Sequence, residues 1–461
     1  MTTATIATPT LDELGEDFIT GRSERSGEPS WLLDRRLAAH KRFLDQAWPD
    51  SRLDEFWRST PFAKRVDVTS PVVVAEDGEA PEGALVDTLE VPAAKVVIVD
   101  GVVVEVTVPT DLVEQGVVVS DLATAAEQHG ELVRTHLGSL TTSTPDSSGG
   151  GEDRTITVND AAWTAGAFVH VPDGVELDAP IGIQVHVTRP GAHLPRALVV
   201  VGRNAKARIY LEHSGDADAL VDEVVEGVVL DGGKLDMASL QEWGPGVHHL
   251  SLQKVAAHKD ASFRHLSVTV GGATVRLRPE CDLLGPGASA RPLGVYFADG
   301  GQWFDLQPYI RHIAPHATSD VLFKGALQGK SRTVFRGNIF VAKDAVGTVT
   351  DETNRSLILT EGARADSTPF LEIECSDITA GHGSATGQID ARHLFYLESR
   401  GIPRDEALRL IVHGFFREVL AELDLPGVEE RALTHIESEV ERADLDAVGV
   451  SDAALRAGEH G

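Results

Sequence analysis

A single histidine stands among small residues in the segment SDITAGHGSATGQID, residues 376–390, where a strand-like pattern changes to a helix-like one. This residue, His382, is flanked by alanine, glycine, serine and threonine, so another molecule could approach its ring closely. A neutral imidazole binds iron, and near pH 7 it can also carry a proton. His382 is therefore a candidate metal ligand or proton carrier, and the alternative is a histidine that only hydrogen-bonds a turn.

The other candidate functional motifs do not have the residue spacing that their chemistry requires. GALQGKS, residues 325–331, resembles a phosphate-binding loop, but its two glycines are one residue too close and no helix pattern follows. His312 and His316 are four residues apart, yet a proline between them prevents the shared helical face of a zinc-binding pair. His248 and His249 are adjacent and would point to opposite sides of a strand. We interpret these four histidines as scattered surface or turn residues.

The chain has two cysteines, Cys281 and Cys375, and neither belongs to a C-x-x-C pair. Two thiols are too few for a disulfide framework or for the four ligands of a typical iron–sulfur cluster. We interpret both as buried small apolar residues, which is common for free cysteine. The sequence also contains no Ser-His-Asp elbow and no paired-carboxylate signature, so it predicts a protein that is not an enzyme.

Length and charge narrow the class of protein. The 461 residues are enough for two or three domains. The net charge of -30 argues against nonspecific nucleic-acid binding, which needs clustered positive charge. No apolar run approaches the roughly 20 residues that cross a bilayer, and the first residues lack a secretory signal pattern. We therefore expect a cytoplasmic protein with no nucleic-acid or membrane partner.

Helical patterns at both ends enclose a strand-rich centre. In the first region, Leu33, Leu37 and Leu44 fall on one predicted helical face. The central strands are short and are separated by Gly, Asp, Asn and Pro, without a long amphipathic helix. The predicted regions are an N-terminal helical region at 1–85, a mixed α/β segment at 86–152 with a flexible loop at 141–151, a strand-rich core at 153–390 and a C-terminal helical domain at 391–461.

The strand-rich core is too long for one ordinary sandwich. Stacked rungs of a parallel β-helix would accommodate this length, because each rung buries its faces against its neighbours. The core shows no strict sequence repeat, so two packed sandwiches remain the alternative. The predicted fold class is mainly β, a parallel β-helix with helical N- and C-terminal domains.

Apolar residues in the C-terminal run LFYLESRGIPRDEALRLIVHGFFREVLAEL cover more than one helical face. A helix that only packs against its own chain needs a single apolar stripe. We therefore expect part of this surface to bind a partner. The predicted partner-binding residues are Phe395, Tyr396, Arg400, Leu408, Ile411, Phe415, Phe416 and Val419.

Several stretches resemble the SufB/SufD family, the scaffold proteins of the SUF system of iron–sulfur cluster assembly. The C-terminal signature of that family is similar to PFLEI at 369–373, DITAGHG at 377–383, GQID at 387–390 and LFYLESRGI at 394–402. Residues 159–181 resemble the entry into the family's β-helix, and EPSWLLDRRLAAHKRFL resembles its N-terminal helical region. The resemblance covers nearly the whole chain and implies a right-handed parallel β-helix flanked by helical domains.

Within the family, the chain is most similar to the SufD branch. Residues 361–368, on the rung before PFLEI, lack the functional cysteine of the SufB branch. His382 matches the functional histidine of the SufD branch. Ala380 stands where the motif usually has a cysteine, so a cysteine-dependent role is absent at that position.

The resemblance implies a non-catalytic scaffold subunit that pairs with SufB through the end of the β-helix. It further implies that the C-terminal helical domain docks the ATPase SufC, and that nascent clusters form at the SufB–SufD interface. His382 would lie at that interface as a transient metal ligand, while the chain alone would hold no stable cofactor. A homodimer without SufB stays open. The alternatives are a carbohydrate-active β-helix enzyme, such as a lyase or pectinase, and a purely structural β-solenoid.

Overall fold

The computed structural model describes residues 8–89, 93–142, 153–441 and 450–451. Its strands form a β-solenoid of about 8 turns with parallel sheets and with helices at both ends, which confirms the predicted fold class. The loop predicted at 141–151 falls almost entirely outside the described residues.

Helices occupy the two ends of the chain. They are α1 (Glu16–Arg25), α2 (Ser30–Asp45), α3 (Phe62–Arg65), α4 (Thr110–Glu114), α5 (Leu122–Gln128), α6 (Gly130–His136), α7 (Arg154–Ala162), α8 (Ala391–Ser399), α9 (Arg404–Leu420) and α10 (Val428–Glu441).

Strands fill the centre. The first are β1 (Lys95–Val99), β2 (Val102–Thr107), β3 (Val118–Asp121), β4 (Ala165–Val171), β5 (Ile181–Val187), β6 (Gly191–His193), β7 (Pro195–Val201), β8 (Lys206–Gly215), β9 (Ala219–Val229), β10 (Lys234–Trp243), β11 (His248–Ala257) and β12 (Ser262–Thr269). The others are β13 (Thr274–Leu283), β14 (Ser289–Ala298), β15 (Trp303–Leu306), β16 (Tyr309–His312), β17 (Thr318–Leu327), β18 (Arg332–Phe335), β19 (Asn338–Val341), β20 (Thr348–Ile358), β21 (Arg364–Ser367), β22 (Phe370–Ile373), β23 (Ile378–Gly387), β24 (Ile389–Asp390) and β25 (Val450–Ser451).

Two long sheets form the walls of the solenoid. One has ten strands in the order β2-β1-β5-β8-β10-β12-β14-β17-β20-β23, and the other runs from β3 through β9, β11 and β13 to β21. All described pairs in these walls are parallel except β1 with β2 and β3 with β4, which lie at the N-terminal end. The C-terminal end therefore finishes on the parallel strands β21, β22 and β23.

Rungs repeat in space although their sequences do not. From β8 onward, the strands of the ten-stranded sheet begin at nearly even intervals along the chain, at Lys206, Lys234, Ser262, Ser289, Thr318, Thr348 and Ile378. Each rung needs only an inward residue at every second position and turns of suitable length. Different side chains meet that need equally well, which explains why no strict repeat is visible in the sequence.

The N-terminal helical face differs from the predicted one by one residue. Along α2 the buried apolar side chains are Leu32, Ala39 and Phe43, whereas Leu44 is 61% exposed. Phe43 lies in an aromatic cluster with Trp48, Trp57 and Phe62. Helix α2 packs against α7. The periodicity of α2 alone could not reveal which of its apolar stripes this contact covers.

The C-terminal helices pack on the outer face of the ten-stranded sheet. Leu408, Val412 and Phe416 of α9 are at most 2% exposed, and α9 contacts β14 and β17. The Tyr210 hydroxyl of β8 donates a hydrogen bond of 3.0 Å to the carbonyl of Pro426. The described residues contain no helix with the length and apolar character that a membrane span requires.

A partly buried group of charges joins α10 to β10. Glu242 accepts hydrogen bonds of 2.8 and 2.6 Å from the Arg431 guanidinium, and His435 lies 2.8 Å away. Burial by itself raises the pKa of Glu242, but the hydrogen bonds from Arg431 and His435 outweigh it and lower this pKa to about 2. Because the folded-state pKa is depressed, the stabilisation is present above the ordinary value of 4.5 and is lost as the pH falls towards about 2.

We predict that Glu242→Gln lowers the free energy of unfolding at pH 7 by about 1–3 kcal/mol, because charge-assisted hydrogen bonds are lost. The difference from the unmodified chain should shrink as the pH is lowered from 5 towards 3. Urea titrations at several pH values measure both effects. Glu429→Gln, which breaks a more exposed pair with Arg417, serves as the control and should cost less than about 1 kcal/mol. Equal losses in both variants, or a constant loss across pH, would contradict the prediction.

Candidate functional site

The C-terminal end of the solenoid presents an open strand edge. Within the described residues, β23 pairs with β20 on one side and has no strand on the other. An edge strand carries a row of backbone N–H and C=O groups that another chain can pair with. The sequence of β23, ITAGHGSATG, contains neither the lysine nor the proline with which proteins commonly block such an edge. This edge is therefore suited to accept a strand from another molecule.

His382 lies in the middle of this edge strand and is exposed, as a partner-facing residue must be. In the parallel register it stands next to Glu352 of β20, and Ala380 stands next to Thr350. Residues at matched positions of parallel strands point to the same side, so His382 and Ala380 both face the interior side of the last rung. A cysteine at position 380 would have shared this face with the imidazole, and here alanine leaves His382 without a thiol neighbour at that position.

Glu352 is buried one rung behind His382. Its side chain is 1% exposed, and neither carboxylate oxygen has a hydrogen-bond partner among the described residues. Burial, with a smaller effect of the Asp351 charge, raises the pKa of Glu352 to about 8. The sequence analysis missed this residue, because its closeness to His382 depends on the register between two strands that are far apart along the chain.

A second group of possible ligands lies inside the solenoid. Ligand atoms of His213, Glu223 and His249 all lie within 4.8 Å of one another, and the three side chains are buried. His213 Nε2 is 2.8 Å from Glu223 Oε1, and Ser251 donates a hydrogen bond of 2.7 Å to Glu223 Oε2. Burial raises the pKa of Glu223, but His213 and His249 outweigh it and hold this pKa well below its ordinary value.

Hydrogen bonding at His249 does not favour a metal ion in this interior group. The indole N–H of Trp243 donates to His249 Nδ1 at 3.1 Å, so Nδ1 acts as an acceptor. A neutral ring then carries its proton on Nε2, the nitrogen that faces Glu223 at 3.6 Å. A protonated nitrogen has no lone pair for a metal. We therefore assign this group a structural role as a hydrogen-bonded ion-pair cluster.

The interpretation of the other histidines as surface residues is wrong for two of them. His249 and His312 are fully buried, and His312 Nε2 lies 2.9 Å from the Ser319 hydroxyl. Desolvation lowers the pKa of His312 to about 4, so this ring is neutral near pH 7. Both histidines lie on inward positions of their strands, where polar partners from other strands compensate them. His316 lies in a turn, as expected, with φ 57°.

The two cysteines and the glycine-rich segment match their predicted surroundings. Cys281 and Cys375 are both buried, and burial raises the pKa of the Cys281 thiol well above its ordinary value. The segment 325–331 lies on the end of β17 and the following turn, and β18 rather than a helix comes next. A phosphate-binding loop leads into a helix, so the local structure agrees with the rejection of nucleotide binding here.

The predicted partner-binding residues divide into exposed and buried sets. Phe395 and Tyr396 of α8 are 71% and 57% exposed, and the Arg400 guanidinium lies over the Tyr396 ring at 5.2 Å. By contrast, Leu408, Phe416 and Val419 are at most 1% exposed, and Ile411 and Phe415 are partly buried in the same core.

Packing within the chain itself explains why the apolar stripe of α9 is so wide. One part of the α9 stripe packs on the solenoid and another part packs on α8 and α10. The three fully buried residues therefore cannot touch a partner in this conformation, which corrects the prediction for Leu408, Phe416 and Val419. The accessible part of the predicted surface is the exposed group on α8, Phe395, Tyr396 and Arg400.

Comparison with known proteins covers most of this chain. The family model described as the SUF system FeS cluster assembly, SufBD core domain matches residues 185–415, and the SufBD protein N-terminal region matches residues 74–184. An iron-sulfur cluster assembly SufBD family protein of Mycobacterium tuberculosis is 39% identical over 305 residues, with 63% of this chain and 75% of the relative covered.

Full-length relatives carry both family names. The iron-sulfur cluster assembly protein SufD of Bacillus subtilis is 26% identical, with 92% of this chain and 98% of the relative covered. The SufB protein of the same organism is also 26% identical, with 92% and 93% covered. The core match includes β23, His382 and α8, so the candidate site lies within the matched region. With its parallel solenoid and these matches, the chain belongs to the SufBD family of iron–sulfur cluster assembly proteins and is SufD-like.

Proposed function

We propose that this chain is a non-catalytic, SufD-like scaffold subunit that pairs with a SufB-type subunit through the open end of its solenoid. The observation that carries the proposal is the unpaired edge of β23 in the described part of the chain, with an exposed histidine at its centre. Strand pairing across two such edges would complete the backbone hydrogen bonds of both. A cytoplasmic location, expected for this system, belongs to the same proposal.

In this assembly, the partner would cover His382 and place its own ligands opposite the imidazole. A neutral imidazole nitrogen can take part in holding iron while a cluster forms, and the nascent cluster is the cargo of the complex rather than a resident cofactor. The small residues on both sides of His382 leave room for that approach. The exposed aromatic group on α8 is suited to bind a SufC-type ATPase.

We predict that His382→Ala abolishes cluster assembly without disrupting the complex. The side chain is exposed, so its removal should change the free energy of unfolding by no more than about 0.5 kcal/mol. The variant should co-purify with SufB- and SufC-type partners but should fail to restore growth in a host that depends on the SUF system. Ser384→Ala is a matched control on the same face of β23 and should complement.

A cysteine variant distinguishes a metal ligand from a proton carrier at position 382. His382→Cys should restore part of the activity if the residue ligates iron, because a thiolate also binds iron, but not if it transfers a proton. Full complementation by His382→Ala would remove the proposed role of this residue. Failure of the unmodified chain to co-purify with a SufB-type subunit would overturn the scaffold proposal itself.

A further inference from the structure

A line of cationic and aromatic side chains crosses the outer face of the long sheet that runs from β3 to β21. In the parallel register, matched positions on five successive strands hold His248, Thr274, Trp303, Arg332 and Arg364. The residues that follow them on their strands line the interior of the solenoid, so these five side chains face outward. The line ends on β21, which belongs to the last rung.

Two guanidinium groups stack on the indole ring in this line. Arg65, the last residue of α3, and Arg332 of β18 each place the guanidinium carbon 4.5 Å from the centroid of the Trp303 ring. Arg332 lies on the next strand towards the open end. On the opposite side of Trp303, burial and the Arg65 charge lower the pKa of His248. The two guanidinium groups therefore flank the ring, which leaves neither of its faces free for a planar ligand.

Carboxylates are scarce here, although acidic residues outnumber basic ones by 71 to 41 in the whole chain. Burial, with a smaller effect of the Arg332 charge, lowers the pKa of Arg65, and no carboxylate among the described residues counteracts this. Arg332 and Arg364 share one carboxylate, that of Asp366, at 2.6 and 2.8 Å. Three guanidinium groups therefore have one carboxylate between them. The name arginine row denotes the set Arg65, Trp303, Arg332 and Arg364.

Attachment of the N-terminal region to the sheet does not by itself require this excess of positive charge. The Thr60 hydroxyl accepts a hydrogen bond of 3.1 Å from the Trp303 indole N–H and donates one of 2.7 Å to Asp305, which already joins the two parts. An apolar side chain at position 65 would cover the same ring without placing a second cation near Arg332. Guanidinium groups offer forked N–H donors that match the two oxygens of a carboxylate. The arginine row is therefore equipped to bind an external anion.

We propose that the arginine row binds an acidic peptide segment of a partner protein in an extended conformation. From the far face of the Trp303 ring to β21 the row spans about three strand spacings, or about 14 Å, which matches about four extended residues. The cations lie on an open face rather than in a cavity, since the side chains of Arg332 and Arg364 are 29% and 65% exposed. An extended acidic segment complements such a row better than a single small anion does. The inference does not depend on the proposed function, because this chain alone would bind the peptide.

The test is fluorescence anisotropy of a fluorescein-labelled hexaglutamate titrated with the full-length chain. We expect saturable binding that weakens as the salt concentration rises from about 0.05 to about 0.5 M, because exposed charges are screened. Arg65→Gln and Arg364→Gln should each weaken binding by at least about 5-fold. Arg203→Gln is the matched control, because it removes an exposed arginine from a turn elsewhere on the solenoid and should leave the affinity unchanged. No binding by the unmodified chain, or an equal loss in Arg203→Gln, would overturn the inference.

A second set of measurements separates peptide binding from folding and from other occupants. The Arg364 side chain is largely exposed, so Arg364→Gln should leave Tm within about 1 °C, and its loss of binding would not come from a displaced α3. Unchanged binding in that folded variant would contradict the proposal. Inorganic phosphate should compete more weakly than unlabelled hexaglutamate, and equal competition would overturn the peptide assignment in favour of a small anion. Self-association of the chain that Arg65→Gln abolishes would overturn it in favour of a second copy.

Discussion

Replacement of Arg196 by methionine is expected to lower the free energy of unfolding by about 3–5 kcal/mol. The Arg196 guanidinium is 1% exposed and donates to the carboxylates of Asp160 in α7 and Glu226 in β9. Both carboxylates are also buried, and Glu226 accepts backbone N–H groups of Gly138 and Leu140. Removing the cation would leave two buried negative charges close together, although Arg42 remains 3.5 Å from Asp160.

The charge state of Arg196 supports the large loss of stability expected for Arg196→Met. Burial acts to lower the pKa of Arg196, but the charges of Asp160 and Glu226 outweigh it and raise this pKa above its ordinary value. The guanidinium is therefore charged at every pH at which the protein would be studied. Through this network β7 holds α7 and the segment after α6 against the solenoid, so its loss should weaken the N-terminal region.

Guanidinium chloride titrations measure the effect, with Arg203→Met as the control. Arg203 pairs with Asp173 at 3.4 Å, and both side chains are more than half exposed, so that variant should cost less than about 1 kcal/mol. The double variant Arg196→Met/Glu226→Gln should recover part of the lost free energy of unfolding, because one of the two unpaired buried carboxylates is neutralised. Similar losses for Arg196→Met and Arg203→Met would contradict the argument.

Local sequence patterns favour a solenoid over two packed sandwiches, and the resemblance to the SufB/SufD family decides between them. Short strands separated by Gly, Asn and Asp throughout the central part of the chain are compatible with few folds, and evenly spaced rungs account for the length of that part. His382 stands out because its neighbours are small, but the resemblance to the SufB/SufD family is needed to assign it a role. The patterns and the matching motifs are both local, since they depend on residues that are close together along the chain.

Contacts between rungs could not be predicted in the same way. Glu223, His213 and His249 lie on three different strands, and their hydrogen bonds depend on which residues face inward in each rung. A shift of one residue in register would reverse every inward side chain. The same dependence hides Glu352 from the sequence, because its neighbour His382 belongs to the next rung.

The apolar stripe of α9 shows a further limit. Periodicity identified the apolar residues correctly, but it cannot state which of them are covered by the same chain. Phe416 is fully buried between the solenoid and the other C-terminal helices, whereas Phe395 of α8 is 71% exposed. A substitution at Phe416 would therefore test folding, and a test of partner binding must use α8.

Two exposed aromatic side chains on α8 lead to the second large expected effect. Large apolar residues that are exposed in the free chain are the usual anchors of an interface, and Phe395 and Tyr396 are adjacent in sequence. Arg400 stacks over Tyr396 and adds a cation at the rim of this group. Aromatic residues and arginine are the types most often found at the energetic centre of protein interfaces.

The double variant Phe395→Ser/Tyr396→Ser is expected to weaken the binding of a SufC-type ATPase by more than about 2 kcal/mol, which is roughly 30-fold in Kd. Its stability should be nearly unchanged, because both side chains are exposed and contribute little to the core. Isothermal titration calorimetry with the purified ATPase measures the affinity, and circular dichroism checks the fold. Leu53→Ser is the control, since Leu53 is 83% exposed in the N-terminal region and should not affect binding. An unchanged affinity in a folded double variant would place the ATPase on a different surface. Phe416→Asp, by contrast, should disturb the fold itself, so we expect it to lose ATPase binding and helical circular dichroism signal together.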